Sequence, residues 1–279
     1  MNGQDIGLKG EISPEVFLIP NIKEVVFEFE DSDKNKRGKL EGPIPDTIGQ
    51  AEKFQVIDLQ NQKVSGDIPD SFYDLSTLRE VDLDGTALTG TISEKVILLT
   101  SLIFWSANNM DKFDTQNLQK NFGELPRLKV FSMANSKLIG SVPSSFSKLE
   151  KMTQFDVSDN QLSGNIDFVE GFDIISSLDL GNNQFSGSIP DQLWINENLN
   201  GLFLQGNQLT GGFTEAIISS MVLPSLVSKS SSVLTRTTRF NFFSLPSSTN
   251  TSSFSIISCD SFESQQQQVQ WNNPSITCG

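Results

Sequence analysis

Chemistry in this chain has to come from carboxylates, because the usual nucleophile and metal-ligand sets are missing. There is no histidine among the 279 residues. That removes Ser-His and Cys-His nucleophile pairs and the common zinc ligand sets. Asp and Glu number 34 against 20 Lys and Arg, a formal net charge of −14. Glu24, Glu28, Asp58, Glu80, Asp82 and Asp84 stand out: Asp58 and Asp82 lie 24 residues apart, and Glu80 and Asp84 flank Asp82 two residues to either side. Carboxylates so arranged could receive a basic partner or a cation. Acid–base catalysis would need a closed pocket to tune them, and metal-ligand spacings and phosphate-cradling glycine loops are absent from the sequence. A catalytic role, a cofactor and a resident metal are therefore not expected. Nucleic acid is excluded as a partner by the acidic balance, since such binders need a basic footprint.

What positions these carboxylates is a repeat. The spacing L-x-x-L-x-L-x-x-N-x-L-x-G occurs in "MTQFDVSDNQLSG" from Met152, "ISSLDLGNNQFSG" from Ile175 and "LNGLFLQGNQLTG" from Leu199. Weaker copies begin at Phe54, Leu78 and Leu128. Leu102 starts an irregular copy, and Ile22 one interrupted by an insertion within "EDSDKNKRGKLEG". From Phe54 the successive starts lie 24, 24, 26, 24, 23 and 24 residues apart. A period held this closely marks stacked units rather than separate domains. The alternating L-x-L predicts a short strand with its Leu-type side chains inward. Such a strand cannot bury one face alone, so adjacent units must stack on it. The Asn that follows can bond backbone groups left unpaired in the turn. It is present at Asn160, Asn183 and Asn207 and replaced by Gln62, Thr86, Met110 and Ser136. Met110 offers no such bonds, which predicts a local distortion in the coil from Leu102.

The longer unit, seen in "LQNQKVSGDIPDSFYDLSTL" and "LGNNQFSGSIPDQL", resembles the plant-type leucine-rich repeat family, whose mark is L-x-G-x-I-P after the Asn. The G-x-I-P element recurs at Gly42–Pro45, Gly66–Pro69, Gly140–Pro143 and Gly187–Pro190. The resemblance covers about residues 6 to 218. It implies an α/β solenoid, a right-handed coil of about eight 24-residue repeats. A parallel sheet would line the concave face, a second short strand would lie near each G-x-I-P, and irregular or 3₁₀ segments would form the convex side. Relatives of this kind serve as receptor-kinase ectodomains, as polygalacturonase-inhibitor-like proteins and as some ice-binding proteins. The implied recognition surface is the set of outward strand residues on the concave face: Glu24, Glu28, Val56, Asp58, Glu80, Asp82, Asp84, Phe104, Ser106, Asn108, Val130, Ser132, Gln154 and Asp156. The Asp at the middle outward position is also common in the family, so part of the acidic cluster reads equally as a repeat habit. The expected function is non-catalytic recognition of a protein or peptide partner, extracellular or as part of a receptor ectodomain. The alternative is a binder of cell-wall polysaccharide or its hydrolases. An ice-binding role ranks below both, because it needs a flat, regular array of Thr or Asn.

The ends follow other rules. The opening "IGLKGEISPEVFLIPNI" matches the later half of a repeat, so the first unit is expected to be truncated and its cap absent, with the solenoid running over residues 1–218. Residues 219–258 read as a degenerate repeat followed by a Ser/Thr-rich segment containing the sequon at Asn250. In residues 259–279, Cys259 and Cys278 read as a disulfide, against two free thiols. They would either close a C-terminal cap or begin a further repeat block. No stretch approaches the roughly 18 apolar residues that span a bilayer, and the start lacks the features of a signal peptide. The chain is therefore expected to be a piece of a longer protein, with any membrane attachment in a segment outside it.

Overall fold

The computed structural model describes residues 10–26 and 40–211, together with the backbone of strands Phe240–Leu245 and Ser253–Ser258. Glu28, the insertion near residues 30–39, the degenerate repeat expected from residue 219, Asn250, Cys259 and Cys278 lie outside the described residues.

Eight three-residue strands form one parallel sheet, in chain order from Glu24–Val26 to Gly201–Phe203. Each begins two residues after the start of its repeat, as the L-x-L pattern predicts. Neighbours pair without slippage, for example Ile57 with Val81, Phe131 with Phe155 and Leu178 with Leu202. These central residues are buried. A one-residue slip would turn every one of them to solvent, which is why the register holds across coils of 23, 24 and 26 residues. The chain leaves each strand through a tight turn, forms a second short strand and returns along a 3₁₀ segment such as Asp70–Asp74 or Ser144–Lys148. Asp191–Ile195 is a single α-helical turn in the same place.

The core is aromatic: among the described residues it buries eleven of the chain's 21 phenylalanines. From Trp105 a chain of rings runs through Phe122, Phe131, Phe146, Phe155, Phe168 and Phe185, with centroids 4.9 to 6.4 Å apart. Phe131 and Phe155 stack at 19° on adjacent strands, while most other pairs meet edge to face. One ring per strand and one per 3₁₀ segment thus interleave. Each buried Phe contributes about 1.5–3 kcal/mol by burial and each ring pair about 0.5–1.5 more.

Asparagine joins the coils at the turn. Asn183 Nδ2 donates to the carbonyls of Val157, Leu180 and Gly181 at 2.9, 3.3 and 3.1 Å, and its Oδ1 accepts from Leu162 N at 2.9 Å. Asn160 and Asn207 repeat the arrangement, reaching Leu138 N and Phe185 N. Gln62 does part of the same work with a longer arm, accepting from Leu40 N at 3.2 Å. The residue before this position adopts a left-handed conformation in seven successive coils: Asn61, Gly85, Asn109, Asn135, Asp159, Asn182 and Gly206, with φ between 50° and 68°. Only Gly, Asn and Asp visit that region readily. At Gly206 a Cβ would also run into Asn182 Oδ1, which favours glycine over Asn there.

The distortion expected in the coil from Leu102 is present, but not in the concave sheet. Phe104–Ser106 pairs in register with both neighbours. The second ladder breaks instead: one run ends at Ala87–Thr89 and the next starts at Gln116–Asn117. Gln116 stands where other coils place the Gly of G-x-I-P. Its Oε1 accepts from Ile92 N at 2.9 Å, whereas the corresponding Ile189 N finds a backbone carbonyl, Thr210 O. Met110 sits at 0% exposure and meets the Thr86 hydroxyl through its sulfur at 3.7 Å.

The segment read as a Ser/Thr-rich linker contains two six-residue strands, Phe240–Leu245 and Ser253–Ser258, paired antiparallel. Phe and Ile in "FNFFSL" and "SFSIIS" favour extended backbone, a signal the surrounding Ser and Thr obscure.

Candidate functional site

Strand register sorts the outward residues of the concave sheet into two columns. The first-position column reads Glu24, Val56, Glu80, Phe104, Val130, Gln154, Ser177, Gly201. The third-position column reads Val26, Asp58, Asp82, Ser106, Ser132, Asp156, Asp179, Phe203. Neighbours in a column sit about 4.8 Å apart, the spacing of paired strands. The sheet therefore carries an acidic cluster towards each end of the described coils and a neutral middle. Asp58 and Asp82, with Glu24, Glu80 and Asp84, form the first; Asp156 and Asp179 form the second. Phe104, Val130, Ser106, Ser132 and Asn108 lie between.

Much of the acidic column is engaged with the backbone. Asp58 Oδ1 accepts from Gln60 N at 3.0 Å, Asp82 Oδ1 from Asp84 N at 3.0 Å, Asp156 Oδ1 from Ser158 N at 2.9 Å and Asp179 Oδ1 from Gly181 N at 2.9 Å. Each carboxylate caps the amide two residues on, where the chain turns out of the sheet. That is a structural reason for Asp at this position in four coils.

The neutral middle is a hydrogen-bonded network. Asp84 Oδ1 accepts from Ser106 Oγ and Asn108 N, both at 2.7 Å, and Asp84 Oδ2 from Asn108 Nδ2 at 3.0 Å. Asn108 Oδ1 in turn accepts from Ser132 Oγ at 2.8 Å and Ala134 N at 2.6 Å. Ser106, expected to face a partner, is only 3% exposed with its hydroxyl engaged in this network. Its position changes from contact residue to support, because Asp84 from the preceding coil folds over it. Phe104 and Val130 remain half-buried with open outer surfaces, and Glu24, Glu80 and Gln154 are exposed.

Burial and crowding act on the two acidic clusters alike. The Asp82 carboxyl is pushed up to about 7, first by burial and then by the charges of Asp84 and Asp58, against the lowering effect of the Asp84 amide. Asp179 is raised to about 6 by burial first, with Asp156 and Asp159 adding to it, while the Gly181 amide opposes. Asp179 belongs to the surface although the expected set stopped at Asp156; its place in the 24-residue register is the signal that identifies it. Among the described residues no group of three or more His, Cys, Asp or Glu could hold a metal ion, and no helix is long and apolar enough to cross a membrane. A shallow groove of about 370 Å³ is lined by Phe17, Leu18, Ile19, Gln50 and Lys53 among others, and by none of the concave carboxylates.

Residues 175–194 match the Leucine Rich Repeat family. Over 77 residues the chain is 36% identical to Receptor-like protein 41 of Arabidopsis thaliana, covering 28% of this chain and 9% of that protein. Among solved structures, a TDR receptor superposes with a TM-score of 0.66 at 24% identity, over 76% of this chain and 35% of that one. The leucine-rich repeat ectodomain of the Arabidopsis receptor kinase HAESA, solved with an N-terminally extended IDA peptide hormone ligand, gives 0.64 at 24%, over 75% and 34%. Likeness at that identity establishes the shared fold. The chain thus spans about a third of these two solved chains and a smaller part of the receptor-like protein.

Proposed function

This chain is a leucine-rich repeat protein of the plant type, and on that footing we propose that it is a non-catalytic recognition module that binds a protein or peptide through its concave face, outside the cell or at its surface. The observation that carries the reading is the outward pair of columns. Eight coils share one backbone plan, yet the outward side chains change from coil to coil while the inward ones stay apolar. A scaffold of this kind offers a broad, rigid surface whose chemistry varies without cost to the core. Half-buried Phe104 and Val130 supply apolar contact in the middle, where a binding hot spot needs it. The flanking carboxylates supply charge selection and register. The receptor-like relative and the peptide-bound ectodomain of the same fold support a protein or peptide partner in preference to a cell-wall polysaccharide. An ice-facing role fits less well, since each column mixes carboxylate, aromatic and aliphatic side chains.

The test is capture of extracellular proteins and peptides on the immobilised chain, repeated with Asp82→Lys and Phe104→Ala. Phe104→Ala is expected to weaken a true concave partner about tenfold or more, and Asp82→Lys to change its salt dependence. A partner indifferent to both changes would place the contact elsewhere.

A further inference from the structure

Charge is spread unevenly along this chain. Residues 115–153 hold six Lys or Arg (Lys120, Arg127, Lys129, Lys137, Lys148 and Lys151) against two acids, Glu124 and Glu150, a net charge of +4 within a chain of −14. Three of these cations gather where the chain runs into the concave sheet. Arg127 and Lys129 flank Leu128, and Lys151 holds in the next coil the place that Arg127 holds in its own, as the pairing of Val130 with Gln154 fixes. Thr153 N donates to Lys129 O at 2.7 Å, so the two coils lie side by side at this rim. All three cations are exposed. Lys148 is paired with Glu124 at 2.6 Å, while Arg127, Lys129 and Lys151 have no ion-pair partner among the described residues. Glu150, also exposed, is the acid beside Lys151 in sequence.

Earlier coils do not share this excess. Their rim cations each adjoin an acid in sequence, Lys23 with Glu24, Lys53 with Glu52 and Arg79 with Glu80, as Lys151 adjoins Glu150, whereas Arg127 and Lys129 have no acid beside them. The positive rim also borders the apolar part of the concave face. Lys129 N donates to Ile103 O at 2.9 Å, and Val130 lies beside Phe104 in the sheet. Ile103, Phe104 and Val130 are all half-buried, and the third-position column has serine instead of aspartate at this point. The middle of the molecule is thus apolar and basic between two acidic ends.

We propose that the partner presents an acidic segment bearing apolar side chains. Its carboxylates lie on Arg127, Lys129 and Lys151, and its apolar residues on Ile103, Phe104 and Val130. This rests on the reading that the partner is a protein or peptide. Each exposed ion pair adds little by itself, so the apolar contact provides most of the affinity and the cations provide attraction, orientation and rejection of basic competitors. The acidic ends work in the same direction, since they repel an acidic segment that shifts along the sheet. A uniformly hydrophilic polyanion would use the cations but leave Phe104 and Val130 uncovered.

The test pans a random peptide display library on the immobilised full chain, on the Arg127→Glu/Lys129→Glu/Lys151→Glu variant and on an Asp74→Lys/Glu94→Lys control, whose exposed acids lie in 3₁₀ segments outside the concave sheet. Polygalacturonate is offered in parallel. Enriched peptides are expected to be rich in Asp, Glu and apolar residues. They should bind the triple variant about tenfold or more weakly, lose affinity as salt rises, and bind the control at least as well as the parent. Enrichment of basic or neutral peptides, or acidic ones indifferent to the triple reversal, overturns this inference and leaves concave recognition standing. No enriched peptide, with polygalacturonate bound through the same three cations, overturns both.

Discussion

The coil from Leu102 and the coils from Met152 and Ile175 solve one backbone problem in two ways. In the later coils, Asn160 and Asn183 tie the turn carbonyls of one coil to the second strand of the one before. The second ladder runs unbroken from Gln116–Asn117 to Gln208–Thr210. In the coil from Leu102, Met110 replaces the Asn and Gln116 replaces the Gly, and that ladder is interrupted. Yet the concave strand is unchanged in both, and the interior is as full: Trp105, Met110, Phe113 and Phe122 are each at most 1% exposed. The two ladders are therefore held by different forces. The concave sheet rests on buried apolar volume and strand pairing, which Met110 serves well. The second ladder rests on special backbone shapes and side-chain amides, which it does not. The proposed recognition surface sits on the ladder that tolerates irregularity.

Removing core volume should show that the two regions are equally packed. Phe155→Ala and Trp105→Ala are each expected to cost about 3–5 kcal/mol, read by urea unfolding. A much smaller loss for Trp105→Ala would mean that the irregular coil is loosely filled, and the comparison would break. Removing the amides should separate the regions. Asn183, 6% exposed, satisfies four backbone groups from two coils, so Asn183→Ala is expected to cost about 2–4 kcal/mol through the buried groups it leaves unpaired. Gln116→Ala orphans only Ile92 N, an expected cost of about 1–2 kcal/mol. Its hydrogen-exchange signature should be confined to the residues around Ile92.

The smallest effect concerns the acidic column. Because the folded Asp82 carboxyl keeps its proton to about pH 7, far above an unfolded aspartate, its contribution to stability is fully present below about pH 4. It is lost as pH rises through 7. Asp82→Asn retains an Oδ1 to accept from Asp84 N. It is expected to leave stability below about pH 4 nearly unchanged and to raise the melting temperature at pH 8. Asp179→Asn should act in the same direction, with its transition near pH 6. A loss of stability at pH 8 in either variant would show that the charged carboxylate, and not its oxygen as an acceptor, supports the turn.

Much of this architecture was legible in the residues. The 24-residue beat located the eight strands, and the L-x-L alternation separated Ile57, Phe131 and Leu178, which are buried, from their outward neighbours. The irregular coil was legible through Met110. Less was legible at the site. The left-handed position before each Asn was visible as an unbroken series of Asn, Asp and Gly, but it describes a turn and signals no ligand. Ser106 was placed outward by its position in the strand, and no local pattern could show that Asp84 from another coil bends over it.

By itself, the sequence determined what depends on spacing along the chain: the period, the inward and outward faces, and the turns that need Asn, Asp or Gly. These follow because each strand has only two faces and each turn only a few permitted backbone shapes. The tertiary structure alone decided what depends on distance between coils. It set which carboxylates crowd each other enough to hold a proton, which hydroxyl is covered, and which cations lack an ion-pair partner among the described residues. Those outcomes arise where residues about 24 positions apart come to stand side by side, and there burial and charge act on the pair.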